Sequence, residues 1–242
     1  DSNASEWDKK YCEKGWFAHS MPDLNQANPL VLNYLTQNAI WWIEYADLDG
    51  LRVDTYSYND KEGIAKWTKA IMDEYPHFNI MGEVWLNQSA QVSYWQKDSP
   101  ISAIQSYNTY LPTVMDFPLF NAIGEAFRVA PSWDKGMIQL YDNLANDFLY
   151  KDINNLLIFA ENHDTARLNH VYPKIADYKL IISMLATARG IPQLYYGSEI
   201  GMAGDKSKGD GHIRQDFPGG WEGDVQNAFT AAGRTAIQNE YY

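Results

Sequence analysis

Apolar residues in the first third of the chain alternate between helical and extended spacing. From residue 30 to residue 43 they recur every three or four positions, and Pro29 stands where the first turn of a helix accepts proline. Gly50–Asp54 then predicts a strand, residues 64–75 carry one apolar helical face, and Phe78–Val84 predicts a second strand. Helix and strand therefore follow each other twice within this region.

The same alternation continues toward the carboxyl end of the chain. Further predicted strands are Val114–Phe117, Leu156–Ala160 and Ile191–Tyr196. Further predicted helices are Asn121–Phe127, Trp133–Tyr150, Tyr178–Arg189 and a last helix that begins after Asn227. We expect residues 1–28 to be irregular and residues 197–223, which are rich in Gly, Asp and Lys, to form a long loop.

Strands that alternate with helices indicate an α/β fold with a parallel sheet built from β-α-β units. A doubly wound sheet and a (β/α)8 barrel both fit this pattern, because each places a helix between successive parallel strands. The pattern predicts fewer strands than the eight of a complete barrel. We therefore expect the chain to be a piece of a larger domain.

Composition and charge narrow the range of partners. The 242 residues carry a formal net charge of −12, which argues against nucleic acid or an anionic membrane surface, since both bind basic patches. No apolar run approaches the roughly 18 residues of a membrane span, and the polar start has no signal-peptide pattern, which leaves export of a longer precursor open. Cys12 is the single cysteine, so the chain has no internal disulfide framework. The aromatic content of 14% is high; most of these rings are expected in the core, and a role as stacking platforms for flat ligands such as sugars gains weight only beside the carboxylates.

Three carboxylates that close predicted strands carry the strongest functional signal. Asp54, Glu83 and Asp164 each stand at the carboxyl end of a strand. Because the carboxyl ends of parallel strands meet at one edge of a sheet, we expect the three side chains to gather there. Two or three close carboxylates in an aromatic setting are what glycoside hydrolysis requires, since one acid attacks the sugar and another transfers a proton.

The neighbours of the first two acids support this chemistry, although each has an ordinary structural alternative. Arg52 shares a strand face with Asp54, so its positive charge would keep Asp54 ionised and ready to act as a nucleophile. The structural alternative is an ordinary Arg–Asp ion pair at the end of a strand. Trp85 would desolvate Glu83 and raise its pKa, as a general acid needs, unless Glu83 is simply exposed.

The third acid belongs to a run of three polar residues, Asn162, His163 and Asp164. An amide, an imidazole and a carboxylate in succession can bind a metal, hold the hydroxyl groups of a sugar, or cap the following turn. Capping is the commonest of these roles, and the residues alone leave all three open.

Together these segments closely resemble the α-amylase superfamily of glycoside hydrolases (family 13). Gly50–Asp54, Gly82–Trp85 and Asn162–Asp164 are similar to the motifs of its strands four, five and seven, in the family's order. Tyr195–Gly201 resembles the strand-eight segment. Met21–Asn25 resembles the short motif that ends the family's inserted domain, and its Met-Pro start is similar to the neopullulanase and cyclomaltodextrinase branch.

The resemblance implies a (β/α)8 TIM-barrel catalytic domain that is present only in part, from about strand four to strand eight. Residues 1–28 would then be the end of a region like the inserted domain B, and residues 29–242 the C-terminal part of the barrel. An open barrel exposes strand edges, so we expect possible self-association. We also expect the isolated fragment to have little or no activity, although its parent is a glucan hydrolase.

The resemblance also implies roles for the acids and their neighbours. Asp54 would be the nucleophile and Glu83 the acid/base of a retaining mechanism, with a covalent intermediate on Asp54. Asp164 would stabilise the oxocarbenium-like sugar, while Arg52 and His163 hold Asp54 and a ring hydroxyl. Further predicted substrate-binding residues are Asn162, Trp85, Tyr56 and Tyr58.

The implied substrates are α-1,4-linked glucans, namely starch, pullulan, maltooligosaccharides or cyclodextrins. No cofactor is implied for the chemistry, and a structural calcium in the parent stays open. Resemblance to neopullulanases of bacterial starch-utilisation systems favours a periplasmic or secreted parent over a cytoplasmic one.

Two departures from the family pattern affect these expectations. The strand-three motif, which supplies a further Asp and a His to the same sugar site, is absent from the sequence. Many amylases also carry Lys and His three and four places after the nucleophile, where this chain has Ser57 and Tyr58. The second departure puts in doubt the sugar-binding subsites on the acceptor side of the cleft. It also puts in doubt any calcium contact from that loop.

Two other classes of function remain open at this point. A metal-dependent hydrolase on a similar barrel would use His163, Asp164, Asp54 and Glu83 as ligands, although the five His residues show no paired ligand spacing. A non-catalytic carbohydrate-binding fragment would use the aromatic residues while the acids stay idle. Metal analysis of a dialysed sample tests the first alternative, and glucan binding without turnover would support the second.

Overall fold

The computed structural model describes residues 4–242, in which parallel strands are separated by helices. The strands are β1 (Gly50–Val53), β2 (Asn79–Gly82), β3 (Thr113–Met115), β4 (Leu156–Ile158) and β5 (Ile191–Pro192). The α-helices are α1 (Glu6–Lys14), α2 (Pro29–Ala46), α3 (Lys61–Glu74), α4 (Ser89–Ser93), α5 (Pro100–Ala103), α6 (Phe117–Arg128), α7 (Ile138–Leu144), α8 (Leu168–Val171), α9 (Ile175–Thr187), α10 (Asp210–Ile213) and α11 (Ala236–Tyr241). Short 3₁₀ helices occupy Tyr56–Tyr58, Asp147–Leu149, Ile153–Asn155, Ser198–Ile200 and Lys206–Lys208.

The strands follow one another in the sheet in the order β1-β2-β3-β4-β5. The ladders from β1 to β4 are parallel, and Val53 of β1 lies opposite Gly82 of β2. Asp54 and Glu83, which come directly after these two residues, therefore leave the sheet at the same edge. The predicted α/β fold with a parallel sheet is confirmed.

The chain divides into two compact units, one of residues up to 118 with 145–157 and one of residues 119–144 with 158–242. In the first unit, Ile71 of α3 and Ile80 of β2 are fully buried. In the second unit, Ile181 and Leu185 of α9 are buried to the same degree. Each such aliphatic side chain stabilises its unit by about 1.5–3 kcal/mol relative to exposure.

Polar side chains mark where the two helices around β1 begin. Asn28 caps α2 by accepting a hydrogen bond from the N–H of Leu30 at 3.0 Å, and Pro29 occupies the first helical position as predicted. Asp60 caps α3 by accepting the N–H of Gly63 at 2.8 Å. These caps stabilise the starts of the helices that flank β1, which carries Arg52 and directly precedes Asp54.

Two sequence predictions about helical and irregular segments are wrong, each for a local reason. Residues 1–28 were expected to be irregular, but α1 forms there with Ser5 as its cap; the helix buries no side chain, so it has no apolar stripe to detect. The expected helix Trp133–Tyr150 is reduced to α7 and a 3₁₀ turn, because Gly136 has a left-handed φ of 80° and interrupts its first part.

Several predicted strands are also shorter than expected. The strand expected to end at Phe117 stops at Met115, since Phe117 starts α6 and Pro118 is accepted in its first turn. The strand expected over Ile191–Tyr196 ends at Pro192, which has no N–H to donate to a ladder. The strand expected over Phe78–Val84 ends at Gly82, so Glu83 lies just beyond it.

Candidate active site

Arg52 connects two of the predicted catalytic acids at the end of β1. Its Nη1 donates a hydrogen bond to Oδ1 of Asp54, and its Nη2 donates to Oε1 of Glu83 at 2.8 Å. Arg52 and Asp54 share a strand face because they are two residues apart, and the parallel register brings Glu83 alongside. One guanidinium group therefore bridges a pair of carboxylates.

The chain turns sharply after Asp54, and this turn holds the other oxygen of Glu83. Thr55 has a left-handed φ of 45°, a conformation that non-glycine residues adopt rarely. In this turn its N–H donates to Oε2 of Glu83 at 2.9 Å. Both oxygens of Glu83 are thus fixed, one by Arg52 and one by the Thr55 backbone, which is a use of local strain typical of functional sites.

Gly82 permits the close packing that brings Glu83 to this position. A Cβ at Gly82 would lie 2.6 Å from Cδ2 of Leu111 and 2.9 Å from Cγ of Tyr56. These distances are shorter than van der Waals contact, so any larger residue would push β2 away from its neighbours. The glycine before the acid is therefore required by sterics.

Glu83 lies in surroundings that favour its protonated form. Its side chain is only 6% exposed. Burial raises the pKa of Glu83 above the ordinary glutamate value; the N–H of Thr55 and the charge of Arg52 oppose this rise, and the negative charge of Asp54 adds to it. An acid with a raised pKa can deliver a proton at a pH where an exposed glutamate is already ionised.

In the second unit, Asn162 builds the turn that carries Asp164. Its Oδ1 accepts the N–H of Asp164 at 2.8 Å, and its own N–H donates to Oγ1 of Thr165 at 2.9 Å. The side chain of Asn162 is 1% exposed. Of the three roles that the sequence left open, capping of the turn describes the hydrogen bonds that Asn162 makes. That Asn162 also binds substrate stays a prediction.

Asp164 is held at both carboxylate oxygens by neighbouring groups of the same unit. Its Oδ2 lies 3.0 Å from Nε2 of His163, and its Oδ1 accepts a hydrogen bond from Nη2 of Arg214 at 2.7 Å. Arg214 also donates from Nε to the carbonyl of His163 at 2.8 Å. Sequence reasoning missed Arg214, which lies 50 residues after Asp164 in a segment expected to be a loop.

A further carboxylate, Glu161, stands immediately before the Asn162 turn and was also missed as a site residue. It is 4% exposed and accepts hydrogen bonds from Oγ of Ser198 and, at 2.5 Å, from the N–H of Leu168. Nη1 of the buried Arg167 lies 3.8 Å away. Burial raises the pKa of Glu161, and these partners oppose the rise. An acid directly after the apolar strand 156–160 was the signal that could have identified it.

Replacing Glu161 by Gln is expected to change the pH dependence of stability. Burial raises the pKa of Glu161 on folding. The contribution of Glu161 to the free energy of unfolding is therefore fully present below its pKa in the unfolded chain, about 4.3, and is lost as the pH rises through its pKa in the folded protein. The wild-type free energy of unfolding should therefore fall more between about pH 4 and pH 8 than that of Glu161→Gln. Urea unfolding followed by tryptophan fluorescence measures both curves. Glu222→Gln, the same change at an exposed residue, should follow the wild type, and identical curves for all three proteins would contradict the prediction.

The predicted aromatic platforms differ in exposure. Tyr56 is fully buried, and its hydroxyl lies 2.8 Å from Oγ1 of Thr68. That its ring stacks on sugars stays a prediction. Trp85 is 43% exposed and stacks on Phe117 with ring centroids 4.7 Å apart. Tyr58 is 40% exposed. For Trp85 and Tyr58 the role of sugar platform stays a prediction.

A cavity of about 310 Å³ opens beside the turn that follows Asp54. Phe17 meets Tyr58 edge-on in this cavity, with ring centroids 5.3 Å apart. The full lining consists of Tyr11, Cys12, Gly15, Trp16, Phe17, Met21, Pro22, Asp23, Thr55, Tyr58 and Asn59. The Met-Pro-Asp part of the predicted inserted-domain motif thus lies within the first unit, next to the residues after the nucleophile candidate.

The structure therefore brings together Arg52, Asp54 and Glu83 in the first unit, and His163 and Asp164 in the second. That the three acids act in one site stays a prediction. Within residues 4–242, no group of three or more His, Cys, Asp or Glu side chains is arranged to hold a metal ion. Over the same residues, no helix has the length and apolar character to cross a membrane.

Comparison with known families agrees with the class of enzyme that the motifs resemble. Residues 3–238 match the α-amylase catalytic-domain family. The chain belongs to this family of glycoside hydrolases, whose fold is a (β/α)8 barrel.

Curated relatives and solved structures agree with this assignment. Alpha-amylase 3 of Dictyoglomus thermophilum is 30% identical over 95% of this chain and 44% of its own length. A cyclomaltodextrinase of Thermoanaerobacter pseudethanolicus is 32% identical over 76% of this chain and 30% of its own length. The α-amylase of Geobacillus thermoleovorans, solved with acarbose, superposes with a TM-score of 0.75 at 28% identity, over 98% of this chain and 48% of its own. The chain thus spans less than half the length of each of these relatives.

Proposed function

We propose that the protein carrying this chain is a retaining α-glucan hydrolase. The observation that carries the proposal is the Arg52 bridge between Asp54 and Glu83, in which burial raises the pKa of Glu83. A retaining glycosidase needs two carboxyl groups in unlike surroundings, since one must attack as a carboxylate while the other delivers a proton. Glu83 is nearly buried and Asp54 is largely exposed, which suits this division of roles.

In the proposed mechanism, Asp54 attacks the anomeric carbon while Glu83 protonates the oxygen of the leaving sugar. The glycosidic bond breaks and a covalent ester forms between the sugar and Asp54. Glu83, now ionised, removes a proton from water, whose oxygen attacks the same carbon and frees Asp54. Asp164 stabilises the positive charge that develops on the sugar in both steps. No cofactor takes part in this chemistry.

We propose α-1,4-linked glucans as the substrates, namely starch, pullulan, maltooligosaccharides or cyclodextrins. The names of the relatives, which include amylases and cyclomaltodextrinases, support this class. The cavity beside Thr55 supports it too, because Trp16, Phe17 and Tyr58 offer apolar ring faces of the kind on which sugars stack.

Incubating the protein that carries this chain with maltoheptaose is expected to release reducing sugars. The first product should have the α configuration at its new reducing end, because two successive displacements retain the stereochemistry. Proton NMR, recorded before the anomers equilibrate, measures both the rate and the configuration. A β product would contradict the retaining mechanism.

The same experiment separates the alternatives. Maltoheptaose bound without release of reducing sugars would overturn hydrolysis in favour of a carbohydrate-binding role. Activity that a chelator removes and a transition metal restores would instead favour the metal-dependent class. A parallel assay of the isolated chain tests the expectation that it is weakly active or inactive, and release that Asp54→Asn abolishes would contradict that expectation.

A further inference from the structure

Arg214 makes two contacts that converge on the turn carrying Asp164. It lies directly after α10, in the long segment that follows β5. Nη2 donates to Oδ1 of Asp164 at 2.7 Å, and Nε donates to the carbonyl of His163 at 2.8 Å. The guanidinium thus binds a side chain and the main chain of one turn at once, which its fixed fork of donors permits.

Asp210 and Lys206 form an ion-pair network with Arg214, in which Asp210 contacts the same nitrogen as Asp164. Oδ2 of Asp210 lies 2.9 Å from Nη2 of Arg214, and Lys206 donates to the other oxygen of Asp210. The hydrogen bond from Lys206 and then the charge of Arg214 lower the pKa of Asp210, so this carboxylate stays ionised. Arg214 is therefore anchored whether or not Asp164 is engaged with a ligand.

We propose that Arg214 is a positioning residue for Asp164; this inference rests on the proposed function, in which Asp164 stabilises the charged sugar. Before any substrate binds, Oδ1 of Asp164 is held by Arg214 and Oδ2 by His163. The N–H of Asp164 is held by Asn162. Arg214 reaches the turn from a distant part of the chain, so it sets where the carboxylate points relative to the rest of the second unit.

A positioning role makes a distinct kinetic prediction. The interaction of Asp164 with the sugar strengthens as positive charge develops, so a misdirected carboxylate weakens the transition state more than the bound substrate. Arg214→Ala is expected to lower kcat about 10²-fold, the order of loss that a displacement of about 1 Å produces, and to change KM little. Arg214→Lys should recover only part of this loss, because an ammonium group cannot bind the carboxylate and the carbonyl together in the same geometry.

The experiment compares kcat and KM for maltoheptaose in the wild type, Arg214→Ala, Arg214→Lys and a matched control. Arg128→Ala is the control, because Arg128 is an exposed arginine of the same unit whose ionic partner, Glu125, is 3.9 Å away. It should keep wild-type kinetics. An increase in KM at constant kcat would show that Arg214 binds substrate directly, and complete recovery by Arg214→Lys would show that charge alone suffices; either result overturns the proposal.

Amide hydrogen exchange provides a readout that does not need turnover. Arg214→Ala should exchange faster than the wild type and the control at residues 162–165, because the turn loses its bond to the His163 carbonyl. If the wild type releases no sugar, the proposed function fails, and the exchange data alone decide whether Arg214 orders this turn. Unchanged exchange at residues 162–165 would overturn the proposal in either case.

Discussion

Replacing Asp54 by Asn is expected to lower kcat for maltoheptaose by about 10⁴- to 10⁶-fold, the order found when a catalytic nucleophile is lost. The amide has the same shape as the carboxylate but cannot form the covalent ester with the sugar. The contact with Arg52 is also weakened, because a neutral oxygen replaces a charged one. Release of reducing sugars from maltoheptaose, compared between the variant and the wild type, measures the loss.

A second variant and a control make the assignment of Asp54 specific. In Asp54→Gly the space left by the carboxylate can admit azide, which would attack the sugar from the side that Asp54 occupies and give the β-glycosyl azide. Asp49→Asn, the same change at an exposed residue ahead of β1, should keep wild-type activity. Turnover of Asp54→Asn within tenfold of the wild type would rule out Asp54 as the nucleophile.

The arrangement of Arg52, Asp54 and Glu83 follows from patterns that the sequence displays. The two-residue period of a strand places Arg52 and Asp54 on one face, and parallel pairing makes the ends of β1 and β2 neighbours. The first is a local rule of extended chain, and the second follows from the alternation of strands and helices. The bridge by Arg52 to both acids depends on register, which the sequence alone does not specify.

The residues that sequence reasoning missed depend on contacts between distant segments. Arg214 meets Asp164 across 50 residues, and Ser198 meets Glu161 across 37 residues. Tyr56 was predicted as a sugar platform, and its ring packs beneath Gly82 while its hydroxyl meets Thr68. Such contacts are fixed by tertiary packing, which the periodicity of apolar residues along the chain does not predict.

Replacing Glu83 by Gln is expected to lower kcat about 10²- to 10⁴-fold for maltoheptaose, the usual contribution of a general acid and base. The loss should be much smaller for formation of the covalent intermediate from 4-nitrophenyl α-maltoside, because 4-nitrophenolate leaves without protonation. Glu83→Gln should therefore show a rapid burst of 4-nitrophenol followed by slow turnover. Glu74→Gln, the same change at an exposed residue, is the matched control and should behave as the wild type.

The pH profile connects this variant to the structure. A general acid works only when protonated, so the wild-type rate should fall on the alkaline side, at a pH above the ordinary glutamate value of about 4.3 because burial raises the pKa of Glu83. Glu83→Gln has no proton to lose and should lack this alkaline decline. Azide should accelerate the slow breakdown of the covalent intermediate in Glu83→Gln and give the α-glycosyl azide. The azide then attacks the anomeric carbon from the side on which Glu83 lies. A β-azide, or an alkaline decline that persists in Glu83→Gln, would assign the proton transfer to another residue, because neither result is compatible with Glu83 as the acid and base of a retaining mechanism.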